Sequence, residues 1–443
     1  MKKRNKLALA AALIFSLIMS PQTALAKTSN ALPAAPSGLT ASNISTSSIT
    51  LKWNSVSGIS GYYVYRATPN DSNYTKIATI TSTSYTNTGL TANTQYWYFI
   101  KAYSRYGYSA DSTHITAKTL SAATTTTTTS KKQVLGFTTY YYSGDTSSYN
   151  SMTANTSTID EIATQTYNTD SLGNISGMVP TNQLTYANSN GIKAYAMVQN
   201  NFDGNIAKSV LESITNRQAL ENNLLSAVKA NGYKGVNIDL EGVFYNDRSY
   251  YTTFVQELYK LLKPLGYSVT LSVPAKTSDN TTDSWSGAYD YAALSQYSDQ
   301  IAIMTYDEHY PGGTAGPVAS IGWVQNVVKY AVTVIPSSKI MLGVAAYGYD
   351  WSSAGTKAYG ISGMYNLAAS NGATVMWDDT SKSPYFNYTD SSGVSHSDWF
   401  ENSQSVGYKL DLVNSYNLNG IAIWRLGLEN TDYWTTIKTK FNR

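Results

Sequence analysis

Between residues 32 and 121, apolar and polar positions alternate in short runs. Ser48–Trp53 (Ser-Ile-Thr-Leu-Lys-Trp), Gly61–Arg66 (Gly-Tyr-Tyr-Val-Tyr-Arg) and Gln95–Ala102 each put every second side chain on an apolar face. That period of two belongs to a half-buried strand. Pro36, Gly58, Gly89 and Asn93 punctuate the runs. Short strands at this spacing over roughly 90 residues predict an antiparallel β-sandwich. An unbroken Thr124–Thr129 run follows, with Ala122 and Ala123 before it and Ser130-Lys131-Lys132 after it. No core can be built from such a stretch, so 122–132 reads as a linker.

From Gln133 to Arg443 the pattern changes. β-rich runs occupy Gln133–Tyr141, Thr158–Thr166, Gly191–Gln199, Gly235–Glu241, Ser268–Ala275, Gln300–Asp307, Lys339–Tyr347 and Gly420–Leu426. Helical periodicity is clearest at Asn216–Ala230, Ser249–Leu265, Ile321–Val334 and Gly407–Asn417. Eight strands, mostly with helices between them, predict an α/β fold, a closed eight-stranded (β/α) TIM barrel. Residues 352–405, after the seventh strand, contain their own apolar runs and turns. A structureless loop of that length is uncommon, so an inserted α+β subdomain is expected there.

Chemistry in such a barrel sits at the C-terminal ends of its strands. The fourth strand reads Lys234-Gly235-Val236-Asn237-Ile238-Asp239-Leu240-Glu241. Alternation puts Asn237, Asp239 and Glu241 on one face and Val236, Ile238 and Leu240 on the other. The apolar face suits a helical cover, so the polar face points into the barrel. Neighbours on that face stand about 6.5–7 Å apart along the strand. Two carboxyls so close in a sheltered site cannot both ionise easily, and one is driven towards its protonated form. A carboxylic acid that keeps its proton at neutral pH is what a general acid requires. A solvated acidic rim is the alternative reading, and it accounts less well for an ordered Asn-x-Asp-x-Glu on an inward face.

Composition and charge narrow the picture. Hydrophobic residues make up 42% of the 443 and charged residues only 13%, with 38 Tyr, so a disordered chain is excluded. There is no Cys, and only His114, His309 and His396, so disulfides, thiolate sites and a zinc-binding His-Glu-x-x-His helix are absent. No cofactor is expected. The formal net charge of +3 is weighted to the N-terminus, where Lys2, Lys3, Arg4 and Lys6 precede the apolar run Leu7–Met19 and an Ala24-Leu25-Ala26 cleavage pattern. This layout predicts a secretory signal peptide over 1–26, hence a secreted or wall-associated protein. The apolar run of 13 residues is shorter than the roughly 17–25 a bilayer span needs. Cleavage after Ala26 takes the net charge from +3 to −1, and nothing remaining suggests a nucleic-acid partner. A monomer is expected.

Two resemblances sharpen this reading. Ala-Pro-Ser-Gly-Leu-Thr-Ala at 35–41, Trp53, and Gly89-Leu90-Thr91 before Tyr96 are similar to a fibronectin type III domain over 32–121, with Tyr96 at the family's tyrosine corner. Over 133–443 the chain resembles glycoside hydrolase family 18, whose strand-four motif is D-G-x-D-x-D-x-E. Gly235, Asp239 and Glu241 match it, while Lys234 and Asn237 stand where the motif has Asp. Met304-Thr305-Tyr306-Asp307 matches the family's M-x-Y-D, and Trp424 its strand-eight Trp.

The resemblance implies substrate-assisted hydrolysis, a departure from the usual two-carboxylate scheme. It assigns Glu241 as acid and base, Asp239 as partner of the substrate acetamide, and Tyr306 as its positioning hydroxyl. Trp424 is implied as the floor under the reacting sugar, and Asn237, Met304, Asp307, Gln199 and Tyr347 as further substrate contacts. Asn237 is expected to hydrogen-bond Asp239 without sharing its proton. Met304–Val324, Gly235–Asp239 and Trp399–Asn402 are similar to the branch with spore-cortex and cell-wall N-acetylglucosaminidases. An N-acetylglucosamine polymer is therefore the implied partner, peptidoglycan first and chitin second. A glycan-binding protein without turnover, or an adhesion protein acting through the sandwich, are the competing readings.

Overall fold

A computed structural model describes residues 31–120 and 131–443. The leader expected at 1–26 and the Thr run of the linker lie outside the described residues. The chain divides into two compact units, one on either side of 121–130.

The first unit contains β1 (Thr40–Ser42), β2 (Ser48–Lys52), β3 (Gly61–Ala67), β4 (Thr75–Ile80), β5 (Ser84–Thr88), β6 (Gln95–Ser104), β7 (Gly107–Tyr108) and β8 (Ile115–Lys118). One sheet runs β1-β2-β5. The other runs β4-β3-β6-β7, with β8 on β6, and all pairings are antiparallel. The alternating positions close a core of Ile49, Leu51, Trp53, Tyr62, Val64, Tyr98 and Ile100 between the sheets. The Tyr96 hydroxyl accepts from the Thr91 N–H at 2.9 Å, closing the tyrosine corner.

The second unit begins β9 (Gln133–Thr138), α1 (Ser147–Ala154), β10 (Glu161–Thr169), β11 (Ile175–Ser176), α2 (Thr181–Ser189) and β12 (Lys193–Gln199). It continues α3 (Gly204–Glu212), α4 (Ile214–Asn231), β13 (Gly235–Asp239), α5 (Arg248–Leu262), β14 (Ser268–Pro274), α6 (Tyr291–Leu294), β15 (Gln300–Met304), α7 (Ile321–Val334) and β16 (Ile340–Ala345). An insert follows: β17 (Tyr347–Ser352), β18 (Gly355–Gly360), α8 (Ile361–Ser370), β19 (Met376–Asp378), β20 (Ser383–Thr389) and β21 (Ser395–Phe400). Then come α9 (Ser403–Ser415), β22 (Gly420–Trp424) and α10 (Thr431–Phe441).

Strands β10-β12-β13-β14-β15-β16-β22-β9 pair in parallel, and β9 pairs back onto β10, closing the eight-stranded barrel. The insert folds as an antiparallel sheet, β18-β17-β21-β20-β19, with α8 packed through Met364 and Ala368 on Phe386 and Phe400. Its first strand starts at Tyr347, a residue the sequence pattern assigns to the seventh barrel strand, because that strand's parallel ladder ends at Ala345. The second barrel strand begins at Glu161 rather than Thr158, since the N–H groups of Thr158 and Ile159 turn back to the Asn155 carbonyl.

Helices start where a polar side chain takes over orphaned N–H groups. Ser213 accepts from Asn216 at the head of α4, Ser320 from Trp323 at α7, and Asn402 from Gln404 and Ser405 at α9. Gly232, at φ 72°, ends α4 in a left-handed cap. Val236 and Ile238 of β13, with matching residues of the other strands, form the layer under the helices. Leu135, Phe137, Tyr195, Met197, Met341 and Ala422 fill the barrel interior. Among the described residues, no helix is long and apolar enough to cross a membrane.

Barrel closure depends on a close approach at Gly420, where an added Cβ would lie 1.9 Å from the Gln133 carbonyl oxygen. Gly420→Ala should lower unfolding free energy by about 1–3 kcal/mol through overpacking. Gly322→Ala, in the first turn of α7 with nothing within 4 Å, should leave stability unchanged or raise it slightly. Urea unfolding of the two variants checks this.

Candidate active site

Strand β13 ends at Asp239, and Glu241 follows it by two residues at the barrel mouth. Both line a cavity of about 820 Å³ walled by residues that follow several barrel strands. Phe137, Met197, Met304, Tyr306 and Trp424 supply apolar surface, and Gln165, Gln199, Ser272 and Asp307 supply polar groups. Trp424 lies against Phe137 at 5.4 Å between ring centroids.

The backbone around Glu241 is held from two sides. Its N–H donates to Asn200 Oδ1 at 2.8 Å, and Asn200 Nδ2 donates to its carbonyl at 2.7 Å. The Tyr289 hydroxyl donates to the Leu240 carbonyl at 2.7 Å. These contacts fix where the Glu241 carboxyl enters the cavity.

Burial drives the Glu241 carboxyl far above the usual carboxylate range, and the charges of Asp239 and Asp307 push it further. Asp239 is raised as well, by burial, and its Oδ1 is buried without a hydrogen-bond partner. An acceptor left unsatisfied in such a place is costly, and it is a ready seat for an incoming N–H donor.

Asp307 adopts a left-handed φ of 59° and lines the same cavity. Its Oδ1 accepts from the hydroxyls of Tyr347 at 2.5 Å and Tyr349 at 2.9 Å. Burial raises the Asp307 pKa, and the two hydroxyls pull it back. Tyr306 enters the cavity beside Gly343, where a Cβ would stand 2.9 Å from its ring.

Glu241, Asp239, Tyr306, Met304, Asp307, Trp424 and Gln199 therefore meet at one cavity. Two further candidates stand behind its wall. Tyr347 is buried and spends its hydroxyl on Asp307. Asn237 is fully buried, donates to Thr270 Oγ1 at 3.1 Å and accepts from Ser272 Oγ at 3.0 Å. The hydrogen bond expected from Asn237 to Asp239 is not made, because hydroxyls on the neighbouring strand β14 capture the amide.

The sequence pattern did not single out Asn200, Tyr289, Tyr349 or Ser272, nor the exposed rings of Phe202, Trp285 and Tyr310 at the cavity rim. Tyr347-Gly348-Tyr349-Asp350-Trp351 carries an alternating aromatic signal that marks the layer packed behind Tyr306 and Trp424. Ser272 is one hydroxyl among the polar positions of β14, and the remaining residues sit on loops that alternation does not read. Among the described residues, no group of three or more His, Cys, Asp or Glu is arranged to hold a metal ion.

Comparison with known proteins gives the following. The model of glycosyl hydrolases family 18 matches residues 199–429, and that of the fibronectin type III domain matches 34–118. The uncharacterized glycosylase YvbX of Bacillus subtilis is 35% identical over 312 residues, covering 68% of this chain and 91% of that protein. The cortical fragment-lytic enzyme of Bacillus subtilis is 32% identical over 247 residues, and the chain spans only 57% of its length, with 54% of this chain covered. A chitinase from Chromobacterium violaceum superposes with a TM-score of 0.66 at 30% identity, covering 70% of this chain and 99% of that one.

Glu241 gives this geometry a thermodynamic signature. Its folded-state pKa lies above its unfolded value of 4.5, so the cost to stability is absent below that pH and grows as pH rises towards the folded value. Glu241→Gln should therefore melt with the parent at pH 4 and above it at pH 7–8, each recovered kcal/mol adding about 2–4 °C. Calorimetry across that range checks it; an equal offset at all pH values would contradict the burial argument.

Proposed function

The chain belongs to glycosyl hydrolases family 18, and from that premise we propose that it hydrolyses the β-1,4 bond following N-acetylglucosamine in spore-cortex or cell-wall peptidoglycan, with retention and assistance from the substrate's own acetamide. The observation that carries this reading is the pairing of Glu241, whose carboxyl burial pushes towards its acid form, with Asp239, whose Oδ1 is buried and unsatisfied in the same cavity.

Glu241 gives its proton to the glycosidic oxygen as the bond from that oxygen to the anomeric carbon breaks. The acetamide oxygen attacks the same carbon from the opposite face, forming a cyclic oxazolinium ion. Asp239 accepts a hydrogen bond from the ring N–H, satisfying its own Oδ1 and balancing the positive charge. Water then attacks the anomeric carbon, passes its proton to the Glu241 carboxylate and opens the ring. Two inversions give net retention. Tyr306 positions the acetamide oxygen, and Trp424 carries the sugar. Tyr347 and Tyr349 act through Asp307, holding it in place.

The preference for peptidoglycan rests on the cortical fragment-lytic relative and on the expected leader, which would carry the enzyme to the wall. The chitinase likeness supports the second reading, action on chitin oligomers.

Digestion of purified spore cortex, cell-wall peptidoglycan and chitin oligomers, with reducing ends identified by mass spectrometry, tests both. Products ending in N-acetylglucosamine from peptidoglycan are expected, with activity of Glu241→Gln lowered about 10²–10⁴-fold, the span of general acid–base catalysis. Products from chitin alone would replace the first reading by the second. A further outcome concerns Asn237. In Asn237→Asp an added carboxylate on the same face of β13 raises the pKa of both Asp239 and Glu241, so the pH–rate profile should move to higher pH. An unmoved profile would mean that position 237 is electrostatically silent.

A further inference from the structure

The outer face of the larger sandwich sheet is aromatic where an antiparallel sheet ordinarily turns polar residues to water. Along β3 and β6 the inward positions Tyr62, Val64, Tyr98 and Ile100 fill the core. The alternate positions Tyr63, Tyr65, Trp97, Phe99 and Tyr103 share the other face, and Tyr108 of β7 pairs beside Tyr103. Tyr63 stacks on Tyr103 at 4.5 Å, Tyr108 lies 5.5 Å from Tyr63, and Tyr65 stacks on Phe99 at 4.6 Å. Tyr63, Tyr65, Trp97 and Tyr103 remain half-buried, and Tyr108 is 57% exposed. Trp97 and Tyr103 are six residues apart on β6, so the row extends about 20 Å.

Mutual stacking holds these rings still, so a ligand meets a surface already ordered and little side-chain freedom is lost on binding. The row offers apolar ring surface and hydroxyls together, which suits sugars with apolar C–H faces and hydroxyl rims. Charge narrows the choice of glycan. Lys76 Nζ stands 4.2 Å over the Tyr63 ring, and Lys118 pairs with Gln95 on the same face. Among the described residues, neither lysine has a carboxylate partner. Of the acids nearby, Asp111 pairs with Lys101, while Asp71 is hydrogen-bonded to His114 and Tyr74. With Lys76, Lys101 and Lys118 set against Asp71 and Asp111, the balance of charge on this face is positive, complementary to the carboxylates of the peptide stems that peptidoglycan carries and chitin lacks.

We propose that this outer face binds peptidoglycan, the ring row lying along a glycan strand and Lys76 and Lys118 meeting its stem carboxylates. The inference rests on peptidoglycan being the enzyme's substrate, and gives the sandwich a task of its own, keeping the tethered barrel at an insoluble polymer.

The test uses the full chain carrying Glu241→Gln, so that binding is read without turnover, on purified sacculi and on chitin beads. Adding Tyr63→Thr, Tyr103→Thr and Tyr108→Thr, which keep strand propensity, should weaken sacculus binding about tenfold or more. Lys76→Ala with Lys118→Ala should weaken it and flatten its salt dependence. Unchanged binding in the tyrosine variant would overturn the proposal, as would equal binding of the parent to chitin, or a change in molar mass by light scattering that assigns the face to a second copy. If the triple variant loses its melting transition, Tyr108→Ala decides in the same assay: about threefold weaker binding supports the proposal, and equal binding overturns it. Hydrolysis of sacculi by the unsubstituted chain is scored separately, so failure of the substrate assignment and failure of this surface give different results.

Discussion

Two carboxyl groups share one cavity in which burial disfavours charge, and the cost of charging both is the constraint around which the barrel mouth is arranged. Asp239 ends β13 with a buried, unsatisfied oxygen, and Glu241 follows two residues later on the same wall. Burial favours the neutral form of each, and the negative charges of Asp239 and Asp307 favour it further for Glu241. The surroundings thus separate the roles of two chemically similar groups, one inclined to hold a proton and the other placed to meet a cation.

The fold supplies the precision this needs. The parallel strands carry apolar residues outward under the helices and set polar residues at the cavity. Asn200 grips the Glu241 backbone through both of its amide atoms, and Tyr289 holds the preceding carbonyl. The insert completes the site from the other side, where Tyr347 and Tyr349 keep Asp307 turned to the cavity. A change far from Glu241 in sequence can therefore move it, because its backbone is held by Asn200 and Tyr289 from two other segments.

Much of this was legible in the chain itself. Asn237, Asp239 and Glu241 stand out because alternation is a strong signal on a strand with one apolar face, and the M-x-Y-D and Trp424 positions stand out through the family resemblance. Other residues were beyond that reading for physical reasons. Asn237 has the right spacing to meet Asp239, yet Thr270 and Ser272 on β14 compete for its amide, and cross-strand neighbours are invisible in one strand's sequence. Tyr347 looks like the end of a barrel strand, and only the end of the β16 ladder at Ala345 reveals that it opens the insert. Short helices such as α2 and α6 bury few side chains and leave little periodicity.

Whether the site holds Glu241 in its acid form at neutral pH is read by a carbon-13 NMR titration of the side-chain carboxyls, with Glu241 assigned by the resonance missing in Glu241→Gln. The midpoint is expected well above the ordinary glutamate value of 4.5, falling when Asp239 is replaced by Asn. A midpoint near 4.5, insensitive to Asp239, would contradict that expectation.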